Sequence, residues 1–327
     1  MTEPIRWGVL GASKFARQHM APAIHAAEGA VLAALGTSSP EKAAPFADLA
    51  PGLRVLSYDD LLADAEIDAI YIPLPNHMHV EWTIRALEAG KAVLCEKPIA
   101  MEAGAFDQLI AARDKAGLLA AEAYMIVHHP QWQFAREVVR SGRLGTLRHV
   151  RAEFGYDNSG DPGNIRNRPE TGGGSLPDIG VYTFGSTRFV TGQEPGEVRA
   201  RIAWENDVDV LSIVEAEFDG FVLNSMTSMR IHGHQEVAYI GTEGVMRLTC
   251  PFNPLVFPAL PQVRIDDADG TYFKAFPGVN HYVLQVEAFG RAMRGDEDYP
   301  CPLEFSRGTQ AMMDMVFAAH ETAQTGT

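Results

Sequence analysis

The stretch that decides the fold is IRWGVLGASKFA, residues 5–16. Its first six residues form an apolar strand candidate, Gly11 permits a sharp turn, and a helix is predicted to begin near Phe15. The turn fits a degraded G-x-G-x-x-G/A pattern, in which backbone amides at the start of the helix hold a pyrophosphate. The residues expected at this dinucleotide site are Gly11, Ala12, Ser13, Lys14 and Phe15. The alternative is an ordinary tight turn between a strand and a helix.

Strands and helices alternate through the first 124 residues. The predicted strands are Ile5–Leu10, Val31–Gly36, Leu53–Leu56, Ala69–Ile72, Ala92–Cys95 and Ala120–Tyr124. The predicted helices are Phe15–Ala27, Pro40–Asp48, Asp59–Leu62, one capped by Asn76 and followed by Gly90, and Ala103–Lys115. Repeated βα units give a parallel sheet with helices on both faces. Residues 1–124 are therefore predicted to form an α/β dinucleotide-binding domain.

The second part of the chain has a different pattern. Its predicted strands are Leu147–Phe154, Val198–Ala203, Leu211–Phe218, Phe221–Ser228, Glu236–Ile240 and Val245–Cys250. Its predicted helices are Gln131–Ser141, His281–Arg294 and Ser306–Ala323. Several strands alternate apolar and polar residues, as in a half-solvated antiparallel sheet, and Asp219-Gly220 is typical of a hairpin turn. Residues 125–327 are predicted to form an α+β substrate-binding domain.

Composition excludes several classes of protein. The 327 residues are 46% apolar and 21% charged, which is typical of a soluble globular chain. The net charge of −15 opposes binding to nucleic acid. No apolar run is long enough to span a bilayer, and the opening Met-Thr-Glu-Pro lacks the features of a secretory signal. We therefore expect a cytoplasmic protein with neither a membrane nor a nucleic acid as its partner.

No metal site is predicted. The three cysteines, Cys95, Cys250 and Cys301, form no Cys-x-x-Cys motif. His77 and His79 are two residues apart, as are His232 and His234, and neither pair has an acid or cysteine cluster beside it.

The end of the second strand bears on which cofactor binds. An NAD-preferring site usually has an acidic residue here to hold the ribose hydroxyls. This chain instead has Thr37 and Ser38, with Lys42 nearby, which would tolerate a 2′-phosphate. The pattern favours NADP, with NAD as the alternative; a simple helix-capping loop is the non-functional interpretation.

Two further motifs suggest chemistry. Glu96-Lys97-Pro98 closes an apolar strand, and ligands of open α/β sheets bind at the carboxyl ends of strands. Downstream, Asp178 and Tyr182 are four residues apart and would share one helix face. Read alone, Lys97 fits a solvated loop, Asp178 a helix cap and Tyr182 a core residue equally well.

Together these motifs resemble the glucose–fructose oxidoreductase/inositol dehydrogenase/MocA family. The matching segments are the N-terminal turn, Pro75–His79, Glu96-Lys97-Pro98, His128-His129-Pro130 and Gly172–Tyr182, together with the terminal helices. The resemblance implies an N-terminal Rossmann domain and a C-terminal domain with a large, mostly antiparallel open sheet that is often used for dimerisation. It also implies a catalytic Lys97, a cis Lys97–Pro98 bond, and cofactor contacts from Pro75, Asn76, His79, Glu96 and Lys97.

In this family, hydride transfer to or from the nicotinamide accompanies proton transfer at a hydroxyl or carbonyl. Tyr182 is the candidate acid/base, and the Lys97 ammonium would lower its pKa and stabilise the reacting oxygen. The two proton-transfer roles can be exchanged. Asp178 would bind the substrate or orient the pair, while Arg166 and His129 are further candidates for substrate contacts.

The sequence therefore predicts an NAD(P)-dependent oxidoreductase that acts on the CH–OH group of a sugar or polyol, with an aldose 1-dehydrogenase as the first candidate. Dihydrodiol dehydrogenation and reduction of a keto-sugar are the other activities considered. The alternative from another class is a catalytically silent, dinucleotide-sensing regulatory protein on the same scaffold.

Overall fold

The computed structural model describes residues 3–46, 48–50 and 52–325. The chain divides into two compact units, one comprising residues 1–128 and 280–306 and the other residues 129–279 and 307–327. Met1 and Thr2, where the predicted N-terminal domain begins, lie outside the described residues, as does Ala47 in the predicted helix Pro40–Asp48.

The α-helices are numbered along the chain. They are α1 (Ala21–Ala26), α2 (Pro40–Ala43), α3 (Tyr58–Ala63), α4 (His79–Glu88), α5 (Phe106–Ala116), α6 (Pro130–Arg140), α7 (Val181–Thr191), α8 (His281–Met293) and α9 (Leu303–Thr325). Within the part of the chain that the structure describes, no helix is both long enough and apolar enough to cross a bilayer.

The first unit is built on a six-stranded parallel sheet with the order β3-β2-β1-β4-β5-β6. Its strands are β1 (Ile5–Leu10), β2 (Ala30–Gly36), β3 (Arg54–Leu56), β4 (Ala69–Ile72), β5 (Ala92–Cys95) and β6 (Ala120–Glu122). β4 and β5 are buried along their whole length, which explains why their sequences are apolar throughout. This order is that of dinucleotide-binding sheets, with the ligand crevice where the order reverses beside β1. The predicted Rossmann architecture is confirmed.

A helix from the far end of the chain completes this unit. α8 packs beside β1, with the Trp7 and Phe289 ring centroids 5.1 Å apart. Both side chains are fully buried. The core of the first unit therefore depends on two segments that are distant in sequence.

Two helices differ in detail from the prediction. The helix expected from Phe15 does begin there, but it contains a π-helical turn, Ala16–Met20, before α1. Pro22 has no N–H to continue a regular α-helical bond pattern, which accounts for the change. Asn76 does not cap α4, because it lies inside a 3₁₀ turn, Asn76–Met78, that precedes the helix.

The second unit contains an eight-stranded sheet with the order β14-β13-β12-β11-β7-β10-β9-β8. Its strands are β7 (Leu147–Asp157), β8 (Val198–Glu205), β9 (Val208–Phe218), β10 (Phe221–Ser228), β11 (Arg230–Gly241), β12 (Gly244–Leu248), β13 (Gln262–Asp267) and β14 (Gly270–Ala275). All neighbours are antiparallel except β7 and β10, which are parallel. The predicted mostly antiparallel sheet is confirmed, and Asp219-Gly220 forms the turn between β9 and β10 with Gly220 at φ +85°.

α7 is the central helix of the second unit. It packs against β7 and β10, and each of its residues from Val181 to Val190 is buried. Its buried Arg188 pairs with Glu194, with Nε 2.6 Å from Oε2, and donates to the Thr309 hydroxyl of α9 at 2.6 Å. Gly308 leaves the space that the guanidinium occupies. A buried cation is thereby paired and hydrogen-bonded, and it joins α7 to α9.

Four aromatic side chains form a cluster beneath the sheet: Trp132, Phe154, Tyr182 and Phe252. Phe252 stacks on Phe154 at 5.0 Å and on Trp132 at 5.9 Å between ring centroids. It also lies 5.6 Å from the ring of Tyr182. Trp132 is fully buried in this cluster, which holds the ring of Tyr182 in place.

Replacing Phe252 by alanine should lower the free energy of unfolding by about 3–5 kcal/mol, because it removes a fully buried ring from a close-packed cluster. Phe273→Ala on β14 is the control, since that ring is 52% exposed, and it should change stability by no more than about 0.5 kcal/mol. Urea unfolding followed by circular dichroism measures both. Equal losses in the two variants would contradict this account of the cluster.

Candidate active site

The glycine turn after β1 has the geometry of a phosphate cradle. Gly11 has φ +131°, and a Cβ atom there would lie 3.0 Å from Leu74 Cδ2. The Ser13 hydroxyl accepts a hydrogen bond from the Ala16 amide at 3.0 Å, and Ala16 is fully buried. Ser13 therefore caps the start of the helix, a role that a glycine at this position could not fill. Ala12 is half-buried and Lys14 exposed beside this turn.

The ring of Phe15, at the end of the same turn, packs within the first unit. Its centroid lies 5.0 Å from that of His19 and 5.7 Å from that of Tyr282.

The loop after β2 presents a cation beside a hydroxyl. Lys42 Nζ donates to Ser38 Oγ at 3.1 Å, and both side chains are exposed. Lys42 forms no ion pair with any carboxylate among the described residues. Thr37 instead folds into the loop, where its hydroxyl donates to the Ser39 carbonyl at 3.0 Å. Ser38 and Lys42 are thus both exposed on this loop, where Lys42 supplies a positive charge.

His79 holds two loops of the first unit together. Its Nδ1 lies 2.7 Å from the Pro98 carbonyl and its Nε2 lies 2.7 Å from the Leu74 carbonyl. The side chain is fully buried, and burial lowers its pKa although both carbonyls favour the charged ring. His79 therefore positions the Lys97–Pro98 turn. Pro75 and Asn76, in the preceding turn, are half-buried.

The Glu96-Lys97-Pro98 turn follows β5, at the same edge of the sheet as Gly11. The Lys97–Pro98 bond is cis, as the family resemblance implied. Glu96 accepts from the Tyr71 hydroxyl at 2.6 Å and from the Lys97 amide at 3.2 Å. Burial raises the pKa of the Glu96 carboxyl, and the Lys97 ammonium opposes that shift. The carboxylate is therefore fixed from both sides next to the lysine.

Two residues that support this turn were not predicted. Burial, together with the charge of Glu96, raises the pKa of Tyr71, so its hydroxyl stays a hydrogen-bond donor. Glu122, on β6, accepts from the Ile99 amide at 2.9 Å just beyond the cis bond. Both lie in short apolar strands, where the sequence gives no sign of a role outside the core.

In the second unit, Asp178 is the centre of a charged cluster. Its Oδ2 atom accepts from the Tyr156 hydroxyl at 2.6 Å and lies 2.8 Å from Arg166 Nε. The charge of Asp178 raises the pKa of Arg166, while burial and Asp178 raise that of Tyr156. Arg166 is also electrostatically coupled to the phenol of Tyr182. The structure thus brings Asp178, Arg166 and Tyr182 together.

The backbone of this segment explains how both side chains are presented. Asp178 belongs to a π-helical turn, Leu176–Gly180, that leads into α7 and Tyr182. Pro177, which lacks an N–H, lies in this turn. The segment therefore opens with a π turn, and the regular α-helix begins only at Val181. Such π turns are frequent at functional sites.

The polar loop before Gly172 folds back on itself. Gly173 lies against the Arg166 backbone, where a Cβ atom would clash with the Arg166 carbonyl. Asn164 caps a short turn by accepting from the Arg166 amide at 3.1 Å, and Asn167 donates to the Asn158 carbonyl at 3.0 Å. Arg168 pairs with Glu170. Arg166 pairs with Asp178, while the contacts of Asn164, Asn167 and Arg168 shape the loop.

Asp209 anchors the start of the segment. Its Oδ2 accepts from the Ser175 hydroxyl at 2.6 Å and from the Leu176 amide at 2.7 Å. Ser175 also lies 3.0 Å from Thr227 Oγ1, and a side chain at Gly174 would collide with Asp209. Burial raises the pKa of Asp209 to about 6. Sequence analysis missed Asp209 and Tyr156 because both lie inside strands.

His129 caps α6 within the second unit. Its Nδ1 accepts from the Gln131 amide at 3.1 Å, and its ring centroid lies 6.0 Å from that of Phe276. The side chain is fully buried, and burial lowers its pKa to about 4. Across residues 3–46, 48–50 and 52–325, no group of three or more His, Cys, Asp or Glu side chains is arranged to hold a metal ion.

The pKa of Asp209 yields a stability test. Because the folded-state pKa of about 6 exceeds the ordinary 3.8, protonated Asp209 stabilises the fold below pH 3.8, and this contribution is lost as the pH rises through 6. Asp209→Asn has the same shape without the charge. Between acid and neutral pH, the free energy of unfolding of wild type should therefore fall by roughly 3 kcal/mol relative to that of the variant.

Urea unfolding at several pH values measures this difference. Asp219→Asn, in the exposed β9–β10 turn, is the control and should follow wild type at every pH. If the difference in free energy of unfolding between wild type and Asp209→Asn did not change with pH, the raised pKa of Asp209 would be refuted.

Comparison with known proteins identifies the family. The profile described as "Oxidoreductase family, NAD-binding Rossmann fold" matches residues 5–124, and the "GFO/IDH/MocA C-terminal domain" matches residues 132–247. An uncharacterized oxidoreductase from Rhizobium meliloti is 34% identical over 325 residues, which are 95% of this chain and 96% of the relative. D-xylose 1-dehydrogenase (NADP(+)) 2 from Haloferax volcanii is 30% identical and covers 98% of both chains.

A solved structure agrees along nearly the whole length. The crystal structure of a 3-ketoreductase from Actinomadura kijaniata, in complex with NADP and TDP-benzene, has a TM-score of 0.88 and 28% identity. The match covers 97% of this chain and 98% of that one. The chain therefore belongs to the Gfo/Idh/MocA family of oxidoreductases, with its NAD-binding Rossmann fold in residues 5–124.

Proposed function

We propose that this protein is an NADP-linked dehydrogenase or reductase of sugars, acting first of all as an aldose 1-dehydrogenase. The observation that carries the proposal is the position of Lys97. It follows β5 at the edge where sheets of this strand order bind dinucleotides, and Glu96 is fixed beside it by Tyr71. A lysine so placed can reach the reacting oxygen of a substrate next to the nicotinamide.

The cradle fits a dinucleotide. Gly11 leaves the space that a side chain would fill, and amides at the following helix start can bind the pyrophosphate. Ser38 and Lys42 suit a 2′-phosphate, which supports NADP over NAD. When bound, the nicotinamide accepts or delivers the hydride.

The chain's own residues handle the proton and the charge. In the oxidative direction, the substrate carbon loses its hydrogen as a hydride, with both electrons of the C–H bond. The proton of the substrate hydroxyl passes to Tyr182 or Lys97. The ammonium of Lys97 stabilises negative charge on the oxygen. Asp178, held by Tyr156 and Arg166, orients Tyr182 or accepts a hydrogen bond from a substrate hydroxyl.

The relatives support this substrate class and leave two directions in play. One is named as a D-xylose 1-dehydrogenase using NADP, which is the oxidative direction. The other is a 3-ketoreductase, and its solved structures include forms with one lysine or one tyrosine replaced. Reduction of a keto-sugar uses the same residues with the proton moving the opposite way. Because each of these two relatives is an enzyme, catalysis is favoured over the silent sensor.

We further propose that residues 1–124 bind the dinucleotide and residues 125–327 bind substrate and form a homodimer in the cytoplasm. The outward positions of the sheet carry half-exposed apolar side chains such as Met226, beside the exposed Ile213. All three cysteines are free and buried, which suits a reducing compartment.

Replacing Lys97 by methionine should lower kcat/KM at least a hundredfold, because one donor that stabilises the reacting oxygen costs that much when removed, about 2.7–4 kcal/mol. Turnover is followed as absorbance of NADPH and NADH across a panel of aldoses, polyols, dihydrodiols and keto-sugars. Lys115→Met, on the exposed end of α5, is the control. NADPH binding by fluorescence should survive in both variants. Full activity in Lys97→Met would refute the proposed role.

Tyr156→Phe removes the hydroxyl that donates to Asp178 but keeps the ring. We expect kcat/KM to fall roughly tenfold, about 1.4 kcal/mol, since a carboxylate loses one hydrogen bond. The pH profile of kcat should shift as well, which a purely structural change would not cause. Tyr272→Phe, on the exposed strand β14, should behave as wild type. An unchanged pH profile with unchanged kcat/KM would show that Asp178 does not depend on Tyr156.

A further inference from the structure

A groove lies along the outer face of α6 in the second unit. Its volume is about 720 Å³, and its walls come from α6 and from the end of β14. The lining includes three cationic side chains, Arg136, Arg140 and Lys274, and the rings of Phe134 and Phe276. No part of the proposed catalytic chemistry uses these residues.

The three cations lack the partners that arginines elsewhere in the chain have. Arg136 and Arg140 are four residues apart on α6 and therefore share one face. Neither they nor Lys274 forms an ion pair with a carboxylate among the described residues, whereas Arg143, just beyond α6, pairs with Asp267. In a chain with a net charge of −15, three unpaired cations in one groove are unexpected.

The packing shows that this charge is partly buried. Arg136 Nε is buried and has no hydrogen-bond partner among the described residues. The Arg136 guanidinium lies 4.7 Å from the ring centroid of Phe189, and Lys274 Nζ lies 4.1 Å from that of Phe134. Burial and the charge of Arg140 lower the pKa of Arg136. An anion in the groove would offset this repulsion and supply the missing partner.

The chemistry of the groove selects the anion. Guanidinium groups bind phosphate oxygens in pairs of parallel hydrogen bonds. Three cations match a ligand that carries more than one negative charge. Two of them, Arg136 and Arg140, are one helical turn apart and could bind adjacent phosphate groups. Glu137 also lines the groove, but it is exposed and leaves a positive excess.

We propose that this groove binds a diphosphate group. The site is separate in composition from the predicted dinucleotide cradle, whose residues are all in the first unit. It does not depend on the sugar oxidoreductase activity.

Titration calorimetry of the full chain with inorganic pyrophosphate, at fixed ionic strength and with saturating NADPH, tests the proposal. We expect saturable binding at one site per chain, weakened at least tenfold by Arg136→Gln and by Arg140→Gln. Lys274→Gln should also weaken pyrophosphate binding. Because Lys274 is exposed, this variant should fold normally, so a loss of binding in it cannot be caused by misfolding.

Two control variants locate the site. Arg148→Gln removes the same charge from an exposed position on β7, and Lys42→Gln alters the proposed 2′-phosphate site. Both should bind pyrophosphate as wild type does. Non-saturable heats, an equal loss in Arg148→Gln, or a loss confined to Lys42→Gln would each overturn the proposal.

Discussion

The buried carboxylate of Asp209 fixes the backbone that carries the proposed catalytic residues of the second unit. It accepts hydrogen bonds from Ser175 and Leu176, at the start of the π turn that carries Asp178 and leads into the helix that carries Tyr182. Because burial disfavours a charge at this position, the two hydrogen bonds are needed to stabilise the ionised carboxylate. Gly174 is required by the same contact, because a side chain there would occupy the carboxylate's position.

Each of the two units orients a carboxylate with a tyrosine hydroxyl and a cation. In each, a carboxylate near the proposed chemistry accepts a 2.6 Å hydrogen bond from a tyrosine hydroxyl, Tyr71 to Glu96 in one and Tyr156 to Asp178 in the other. A cationic residue also acts on each carboxylate, Lys97 on Glu96 and Arg166 on Asp178. Burial raises the pKa of each tyrosine, so each stays a donor at neutral pH. Each tyrosine therefore orients its carboxylate, Glu96 or Asp178, without transferring its own proton to it.

The sequence was informative where periodicity and turn chemistry agree. The parallel sheet followed from apolar runs, and the β9–β10 turn followed from Asp219-Gly220. It was silent on β14, because that strand is exposed along its length and lacks an apolar face. Tyr156 and Asp209 were missed for a related reason. Each sits in an alternating strand, where a polar residue reads as solvent-facing, and only the three-dimensional pairing shows that it meets Ser175 or Asp178.

Arg166 shows a second limit of prediction from sequence. Its residue type made it a candidate, but the loop around it offers other polar residues that are equal by sequence. The selection is made by backbone shape, since Gly173 allows the loop to close over the Arg166 carbonyl. Such a close approach between backbone segments has no signature in composition.

The contact between Trp7 and Phe289 has a consequence for biosynthesis. β1 emerges early from the ribosome, yet the helix that covers it is translated only after the entire eight-stranded sheet. Until then the side chain of Trp7 lacks the ring of Phe289 that covers it in the finished fold. Exposed apolar surface of this kind is what chaperones bind. Completion of the first unit is thus a late event, because it waits for the translation of residues 280–306.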